Sequence, residues 1–190
     1  MKTLHVFLIF IAIVLIQLFV PAKMIFDREA ILESGTVYKF KTRPVDPSDP
    51  FRGKYVILNY ELNTAQTQDS TFKRNETVFL YLKKDSLGYA EAHSLSKHEA
   101  ETGRDFIEVN VNSYNKSTNM VRFNLPFNRY YMEEFKAKPA EDIYRKYNRQ
   151  NDSIFQTYAL VAIKDGKAVL KDVYINDKSI HHYIKKEAKQ

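Results

Sequence analysis

A chain of 190 residues has room for one globular domain of ordinary size together with a membrane anchor. Its content of 44% hydrophobic and 14% aromatic residues is enough for a packed core and excludes a wholly disordered chain. The net charge of +6 suits an anionic lipid surface or an acidic partner, but no dense Lys/Arg cluster is interleaved with aromatic residues, so we expect no nucleic acid partner. Cysteine is absent, which excludes disulfides, a thiolate nucleophile and a cysteine-based zinc site.

The N-terminal segment is almost wholly apolar over residues 4–20. Its length is near the lower limit for crossing the hydrocarbon core of a bilayer, and residues 22–26 extend it. A cleaved signal peptide is the alternative, because Lys2 gives a charged start and the segment ends in small-residue fashion at Ala22. We favour a retained single-pass anchor. Since a short N-terminal anchor commonly exports the domain attached to it, the bulk of the chain is expected on the periplasmic or cell-surface side.

The sequence divides into three parts. Residues 1–34 are predicted to form the anchor and a juxtamembrane helix that stops at Ser34 and Gly35. Residues 35–178 are predicted to form a β-rich domain, and residues 179–190 a polar tail that frays. The predicted fold class is mainly β with one short helix (β-rich α+β), with an antiparallel sheet preceded by a single N-terminal transmembrane helix.

Alternating apolar and polar residues predict most of the strands. The predicted strands are residues 36–42, 54–62, 77–83, 89–93, 105–111 and 120–125. Segment 54–62 has bulky side chains on both faces and is predicted to be a central strand. Segments 63–75 and 93–104 are polar and are predicted to be exposed loops.

The C-terminal part contains one predicted helix and one predicted hairpin. The helix is expected to begin near Pro139, because proline suits the first helical position and acidic residues come after it. The dipeptide Asp165 and Gly166 separates two alternating runs, residues 153–164 and 167–175. Such a dipeptide is the strongest short signal for a hairpin turn.

Residues 43–60 combine a proline-rich turn with the start of a strand. Three prolines recur at intervals of three, and Asp46 and Asp49 each precede a proline, where a turn capped by the side chain is favoured. Arg52 and Gly53 then lead into the strand, and Gly53 lets the backbone turn or approach closely. The sequence therefore predicts a stiff, irregular loop that is a candidate binding surface.

Metal sites are weakly indicated. Asp46, Asp49 and Glu61 could offer oxygens to calcium, but the loop lacks the dense ligands of a calcium loop, so turn capping is the favoured interpretation. His93 and His98 lie five residues apart with no evident third ligand. These two and the pair His181-His182 are interpreted as solvated surface histidines. No metal or cofactor is expected.

Two further patterns have a functional and a structural interpretation. Ser48 and Lys54 could form a Ser/Lys pair as in signal-peptidase-like hydrolases, but nothing marks an oxyanion hole. Tyr130 and Tyr131 with Glu133 and Glu134, beside Arg129, could form a recognition surface, and a strand end with a solvated acidic pair is the favoured interpretation.

The strand after the proline-rich turn carries a family signature. Its sequence is Gly53-Lys54-Tyr55-Val56-Ile57-Leu58-Asn59-Tyr60. This stretch resembles the GDYXXLXY family of bacterial membrane-anchored proteins, with Lys54 in place of the aspartate. The lead-in to the strand, residues 128–131 and the closing hairpin also resemble that family, so the resemblance covers nearly the whole chain. It implies membrane anchoring and a link to a multi-spanning membrane protein. It brings no established activity, and no catalytic residues are carried over from it.

These observations favour a non-enzymatic interaction module that contacts a membrane protein partner. An envelope hydrolase of the Ser/Lys type and a small-ligand or lipid-binding domain are the alternatives. The residues predicted to bind are Asp46, Asp49, Arg52, Gly53, Tyr55, Leu58 and Tyr60.

Overall fold

The described chain forms a long N-terminal helix, two five-stranded sheets, a two-stranded ribbon and two further helices. The computed structural model describes residues 3–43, 55–100, 103–149 and 156–187. The helices are α1 (Thr3–Ser34), α2 (Glu134–Arg149) and α3 (Ile180–Glu187). The strands are β1 (Thr36–Arg43), β2 (Tyr55–Ile57), β3 (Asn59–Tyr60), β4 (Thr64–Gln66), β5 (Thr77–Lys84), β6 (Ala90–Ser96), β7 (Phe106–Asn115), β8 (Met120–Asn124), β9 (Arg129–Tyr131), β10 (Thr157–Lys164), β11 (Lys167–Ile175) and β12 (Lys178–Ser179). The predicted fold class, antiparallel β behind a long apolar helix, is confirmed.

Helix α1 is long and apolar enough to cross a membrane. Its 32 residues rise about 48 Å, against a hydrocarbon core of about 30 Å. None of its apolar 18-residue window is buried against the domain, and exposed apolar side chains run from Leu4 to Phe26. The helix therefore presents an apolar surface of membrane-spanning length that the described domain leaves uncovered.

Helix α1 passes into the first strand without a linker. The amide of Gly35 donates to the Ile31 carbonyl at 2.9 Å, which ends the helix, and β1 begins at the next residue. A Cβ on Gly35 would lie 2.5 Å from the Ile31 carbonyl oxygen and 3.0 Å from that of Ile163. Nζ of Lys164 donates to Oγ of Ser34 at 2.9 Å. The predicted stop at Ser34 and Gly35 is confirmed, and only glycine fits so close an approach.

The first sheet has the strand order β12-β11-β10-β1-β3 and joins the two ends of the domain. Strand β1 pairs antiparallel with β10, with Thr36 opposite Ile163. Strands β10 and β11 form the predicted hairpin, and the positive φ angles of Asp165 (49°) and Gly166 (75°) suit a tight two-residue turn. Strand β10 is the middle strand, and both of its faces are largely buried.

The second sheet has the strand order β4-β8-β7-β5-β6 and consists mainly of neighbouring hairpins. The predicted strands 77–83, 105–111 and 120–125 are confirmed. The prediction of an exposed loop over residues 63–75 is wrong at two points. Strand β4 pairs with β8 in that segment, and the side chain of Phe72 is buried. Strand β4 has a polar sequence and is held by backbone pairing, which leaves no hydrophobic pattern to detect.

One apolar core is shared by the two sheets. Phe40 of β1 belongs to the same buried cluster as Leu80 of β5 and Val109 of β7. The backbone also joins the sheets, because the amide of Glu108 in β7 donates to the carbonyl of Gly166 at 3.3 Å. The described domain is therefore one packing unit, with the hairpin turn of the first sheet in contact with the second sheet.

The predicted start of the helix in the C-terminal part is wrong. Helix α2 begins at Glu134, so Pro139 lies inside it rather than at its first position. A proline there removes one helical hydrogen bond. Packing offsets this loss, because Ala140 and Ile143 are fully buried and the helix packs on β2 and α3.

The prediction of a fraying tail over residues 179–190 is also wrong for residues 180–187. Residues 180–187 form helix α3, with Ile180 and Ile184 buried one turn apart. The rings of Tyr147 in α2 and Tyr183 in α3 lie 5.2 Å apart. Two apolar positions at a spacing of four are enough for this short helix to bind the domain.

Candidate functional site

The strand of the family signature is not the predicted central strand. It is divided at Leu58 into β2, which pairs with β9 in a two-stranded ribbon, and β3, which pairs with β1 at the edge of the first sheet. The amide of Leu58 donates to the Asn128 carbonyl at 2.9 Å, between the two pairings. Val56, Leu58 and Tyr60 are buried, so the alternation is retained while the pairing partner changes. The segment therefore connects the first sheet to the ribbon formed by β2 and β9.

The inner side of this segment is held by aromatic packing. The Tyr60 ring lies 5.3 Å from Phe127 and 5.9 Å from Phe40, and its hydroxyl donates to the Phe127 carbonyl at 2.9 Å. Burial raises the pKa of Tyr60 far above its ordinary value, so the hydroxyl stays protonated. Leu58 is equally enclosed. These two predicted binding residues have a structural role in fixing the loop before β9.

The outer side of the ribbon carries three side chains that we name the Tyr–Arg cluster: Tyr55, Arg129 and Tyr131. The rings of Tyr55 and Tyr131, which are cross-strand partners, lie 5.4 Å apart. The Arg129 guanidinium carbon lies 5.2 Å from the centre of the Tyr55 ring. A hydrogen bond with the Tyr131 side chain raises the pKa of Arg129. Tyr131 is 64% exposed, so the cluster is an ordered aromatic and cationic surface open to solvent.

Beside this cluster lies a pocket that we name the basic cavity, of ≈ 580 Å³. Its walls are the segment 126–131 and residues 168–171 of β11, and α1 contributes Arg28. Arg28, Arg129 and Lys171 are its cationic lining residues. They come from three distant parts of the sequence, and no local motif connects them.

A β-bulge places Lys171 in this lining. Leu160 of β10 pairs with Asp172, whereas Val161 pairs with Leu170, so Lys171 is an extra residue in β11. A bulge bends its strand and changes the direction of the side chain. Lys171 is exposed and lines the cavity.

The comparison with known families bears on this same region. The family model described as GDYXXLXY protein matches residues 17–173, which is most of the chain and includes the signature strand, β9 and most of β11. The chain belongs to the GDYXXLXY family. This family has no assigned function. Neither the curated proteins nor the solved structures include a match to the chain.

The signature of this GDYXXLXY protein is only partly within the described residues. The predicted binding residues Asp46, Asp49, Arg52 and Gly53, and the Ser48/Lys54 pair, lie outside them. Tyr55 is half-buried and belongs to the Tyr–Arg cluster, whereas Leu58 and Tyr60 are buried. The binding role of all these residues stays a prediction.

A partly buried polar cluster borders the basic cavity of this family member. The hydroxyl of Tyr130 donates to Oδ1 of Asp172 at 2.9 Å and lies 3.0 Å from Nε2 of His181. Because the single hydroxyl proton goes to Asp172, the Nε2 of His181 must donate to Tyr130. Burial, and then Asp172, raise the pKa of Tyr130, which keeps it neutral and unsuited to act as a nucleophile. The cluster attaches α3 to β9 and β11.

The interpretation of His181 as a solvated histidine is wrong, since its side chain is half-buried in this cluster. The apolar spacing of Ile180 and Ile184 is the sequence signal that could have indicated a docked helix. His93, His98 and His182 are exposed, as expected.

A second pocket, of ≈ 350 Å³, lies between β3 and β8. Asparagine side chains dominate its polar lining: Asn59, Asn63, Asn124 and Asn128. Among the described residues, no group of three or more His, Asp or Glu side chains could hold a metal ion here or elsewhere.

Proposed function

We propose that this protein is a membrane-anchored, non-enzymatic interaction module that contacts a membrane protein partner outside the cytoplasm. The observation that carries the proposal is the junction between α1 and β1. Strand β1 begins directly after Gly35, so no linker separates the helix from the domain. Ile31 is buried, and Lys164 donates a hydrogen bond to Ser34 at the end of the helix. A domain attached this closely to an apolar helix of membrane-spanning length is held at the bilayer surface, which favours partners in or at the same membrane.

The Tyr–Arg cluster is the surface that best fits such a contact. Tyrosine and arginine are enriched among the residues that dominate binding energy at protein interfaces. Tyr55 and Tyr131 are held as cross-strand partners, and the Arg129 guanidinium lies over the Tyr55 ring. Side chains ordered before binding lose less conformational entropy when the partner arrives. The cluster therefore combines exposure, hydrophobic area and preorganisation.

The test is crosslinking of full-length, tagged protein in intact cells, followed by membrane isolation and identification of the captured proteins. Tyr131→Ala removes the exposed ring of the cluster, and Leu87→Ala, at the turn before β6, is the matched control because both side chains are 64% exposed. We expect Tyr131→Ala to weaken capture of the membrane partner roughly 30-fold, as for an interface hot spot, and Leu87→Ala to retain it.

Equal recovery of the same partner by wild type and Tyr131→Ala, at equal amounts of protein in the membrane, would contradict the proposed contact. The Ser/Lys hydrolase alternative has its own test. If it holds, Ser48→Ala and Lys54→Ala each abolish a measurable hydrolytic activity, and wild-type behaviour of both variants excludes it.

A further inference from the structure

The basic cavity lies where the anchor leaves its apolar segment. Phe26 is the last large exposed apolar residue of α1, and Arg28 is two positions further along the chain. At 1.5 Å per residue, Arg28 lies about 3 Å further along the helix axis. When the apolar segment occupies the hydrocarbon layer, Arg28 is therefore at the level of the lipid headgroups. Ile31, buried one turn later, holds the domain and its cavity close to this level.

The charge of the cavity has one sign. Its described lining residues include Arg28, Arg129 and Lys171 and no carboxylate. Within the described ranges, no Asp or Glu side chain lies at ion-pair distance from any of the three cations. Asp172, next to Lys171, accepts the hydrogen bond of Tyr130. The described part of the chain therefore leaves the positive charge of the cavity without a counterion, which favours an anionic ligand.

The size and lining suit a small polar group rather than a bare ion. A volume of ≈ 580 Å³ lies within the range of about 300–1,000 Å³ that is usual for small-molecule pockets. Asn128 and Tyr131 add hydrogen-bonding side chains to the cations. Arginine binds phosphate through a planar pair of donors, and lysine binds it as a point charge. The lining residues Arg28, Arg129 and Lys171 supply both kinds of contact.

We propose that the basic cavity binds the phosphate headgroup of an anionic phospholipid from the leaflet that meets the end of α1. The proposal rests on the membrane anchoring in the proposed function and does not require the protein partner, although Arg129 and Tyr131 belong to both surfaces. Arg129, held by the Tyr–Arg cluster, is the preorganised donor, while Arg28 and Lys171 bind the phosphate from the anchor side and the sheet side. A bound headgroup would fix the orientation of the domain on the bilayer.

The test uses native mass spectrometry of the full-length protein in neutral detergent with added phosphatidylglycerol or phosphatidylcholine. Arg28→Gln/Lys171→Gln removes two cavity cations. The matched control, Lys23→Gln/Lys167→Gln, removes one cation from α1 and one from β11 that do not line the cavity. We expect wild type and control to retain phosphatidylglycerol in preference to phosphatidylcholine. The cavity variant should retain it about tenfold less, and Arg28→Lys/Lys171→Arg should restore it.

Several outcomes overturn the proposal. Equal loss in both double variants shows general surface attraction rather than a site. Displacement of the lipid by glycerol phosphate at equal concentration assigns the cavity to a free phosphate compound. Loss of a crosslinked acidic protein in the cavity variant, with no lipid preference in wild type, assigns it to a protein segment. Flotation of each variant with neutral vesicles is measured in parallel, so that failure of the anchor is distinguished from failure of the cavity.

Discussion

The two five-stranded sheets differ in the sequence distance between their paired strands. The second sheet pairs strands that are near neighbours, as in the hairpins β5–β6 and β7–β8. The first sheet pairs β1 with β10, from opposite ends of the domain, and adds β3 at its edge. Pairing of distant segments costs more conformational entropy, because a longer loop must close before any contact is gained. The first sheet therefore depends more on the complete domain than the second sheet does.

Helix α1 and the basic cavity are both associated with the first sheet. Helix α1 contacts β10 and β11 of the first sheet. The described lining of the basic cavity comes from α1, from residues 126–131 and from β11. None of these lining residues belongs to a strand of the second sheet. The comparison indicates that the site is formed where distant parts of the chain meet, while the local hairpins of the second sheet support it through the shared core.

The largest effect is expected from breaking the contact between the two sheets at Gly166. A Cβ there would lie 2.5 Å from the Phe106 ring, and its φ of +75° disfavours side chains. We expect Gly166→Ala to lower the free energy of unfolding by about 2–4 kcal/mol, the sum of left-handed strain and overpacking. Chemical denaturation of the full-length protein in detergent measures this change.

Gly88→Ala is the matched control for Gly166→Ala. Gly88 has a φ of +82°, and a Cβ there has nothing within 4 Å. This variant introduces only the conformational strain, about 1–2 kcal/mol. If the two variants are equally destabilised, packing against Phe106 does not limit the residue at position 166, and the sheets are not closely packed at this point.

The same division explains how much of the fold the sequence could predict. The hairpin at Asp165 and Gly166 and the strands around residues 77–83 and 105–111 are visible because turn and alternation are local. The break of the signature strand at Leu58 is not visible in the sequence, because Val56, Leu58 and Tyr60 keep a regular alternation across it. Only the positions of β1 and β9 decide which partner each half takes.

The candidate site was the least predictable part. Arg28 looks like an anchor-flanking charge, and Lys171 looks like the solvent side of a hairpin strand. Their common cavity depends on the packing of α1 beside β11 and on a bulge in β11, neither of which has a sequence pattern. Tyr55 is predicted from the signature and Arg129 and Tyr131 are considered separately as a recognition surface, but only the structure places the three together.

A second test uses alkaline pH. Burial is the main cause that raises the pKa of Tyr38, Tyr60, Tyr130 and Tyr158, the tyrosines with the largest rises, which lie on the first sheet and the ribbon. A raised folded-state pKa gives stability that is complete below the unfolded value near pH 10. That stability is lost as the pH rises further. We therefore expect alkaline unfolding to begin in the first sheet, as measured by amide hydrogen exchange.

Tyr60→Phe isolates one of these groups. At neutral pH we expect a loss of about 1 kcal/mol, because the Phe127 carbonyl loses its hydrogen bond. Above pH 10 the free energy of unfolding should fall less steeply than in wild type, by about 1.4 kcal/mol per pH unit for one proton. The free energies of unfolding are measured by denaturant titrations from pH 9 to 12. If they fall equally steeply with pH in the two proteins, Tyr60 does not contribute to the alkaline loss of stability.

The smallest effect concerns a surface contact of the second sheet. Nζ of Lys97, at the end of β6, donates to the Thr71 carbonyl at 2.9 Å and lies 3.5 Å from Glu76 and 3.9 Å from Asp69. Hydrogen bonds from Thr71 lower the pKa of Asp69, the Lys73 amide lowers that of Glu76, and Lys97 adds to both. Lowered pKa values give stability that is present above about pH 4 and is lost as the pH falls.

Lys97→Met should therefore loosen segment 69–76 at pH 7 and change little in acid. We expect amide protection of this segment to fall roughly two- to fivefold at pH 7, and wild type and variant to converge near pH 3. Lys83→Met is the control, because its ion pair with Glu91 joins two half-exposed side chains, and it should leave the segment unchanged. If Lys97→Met also lowers amide protection in β1 or β10, the second sheet is coupled to the first sheet more strongly than its local pairing indicates.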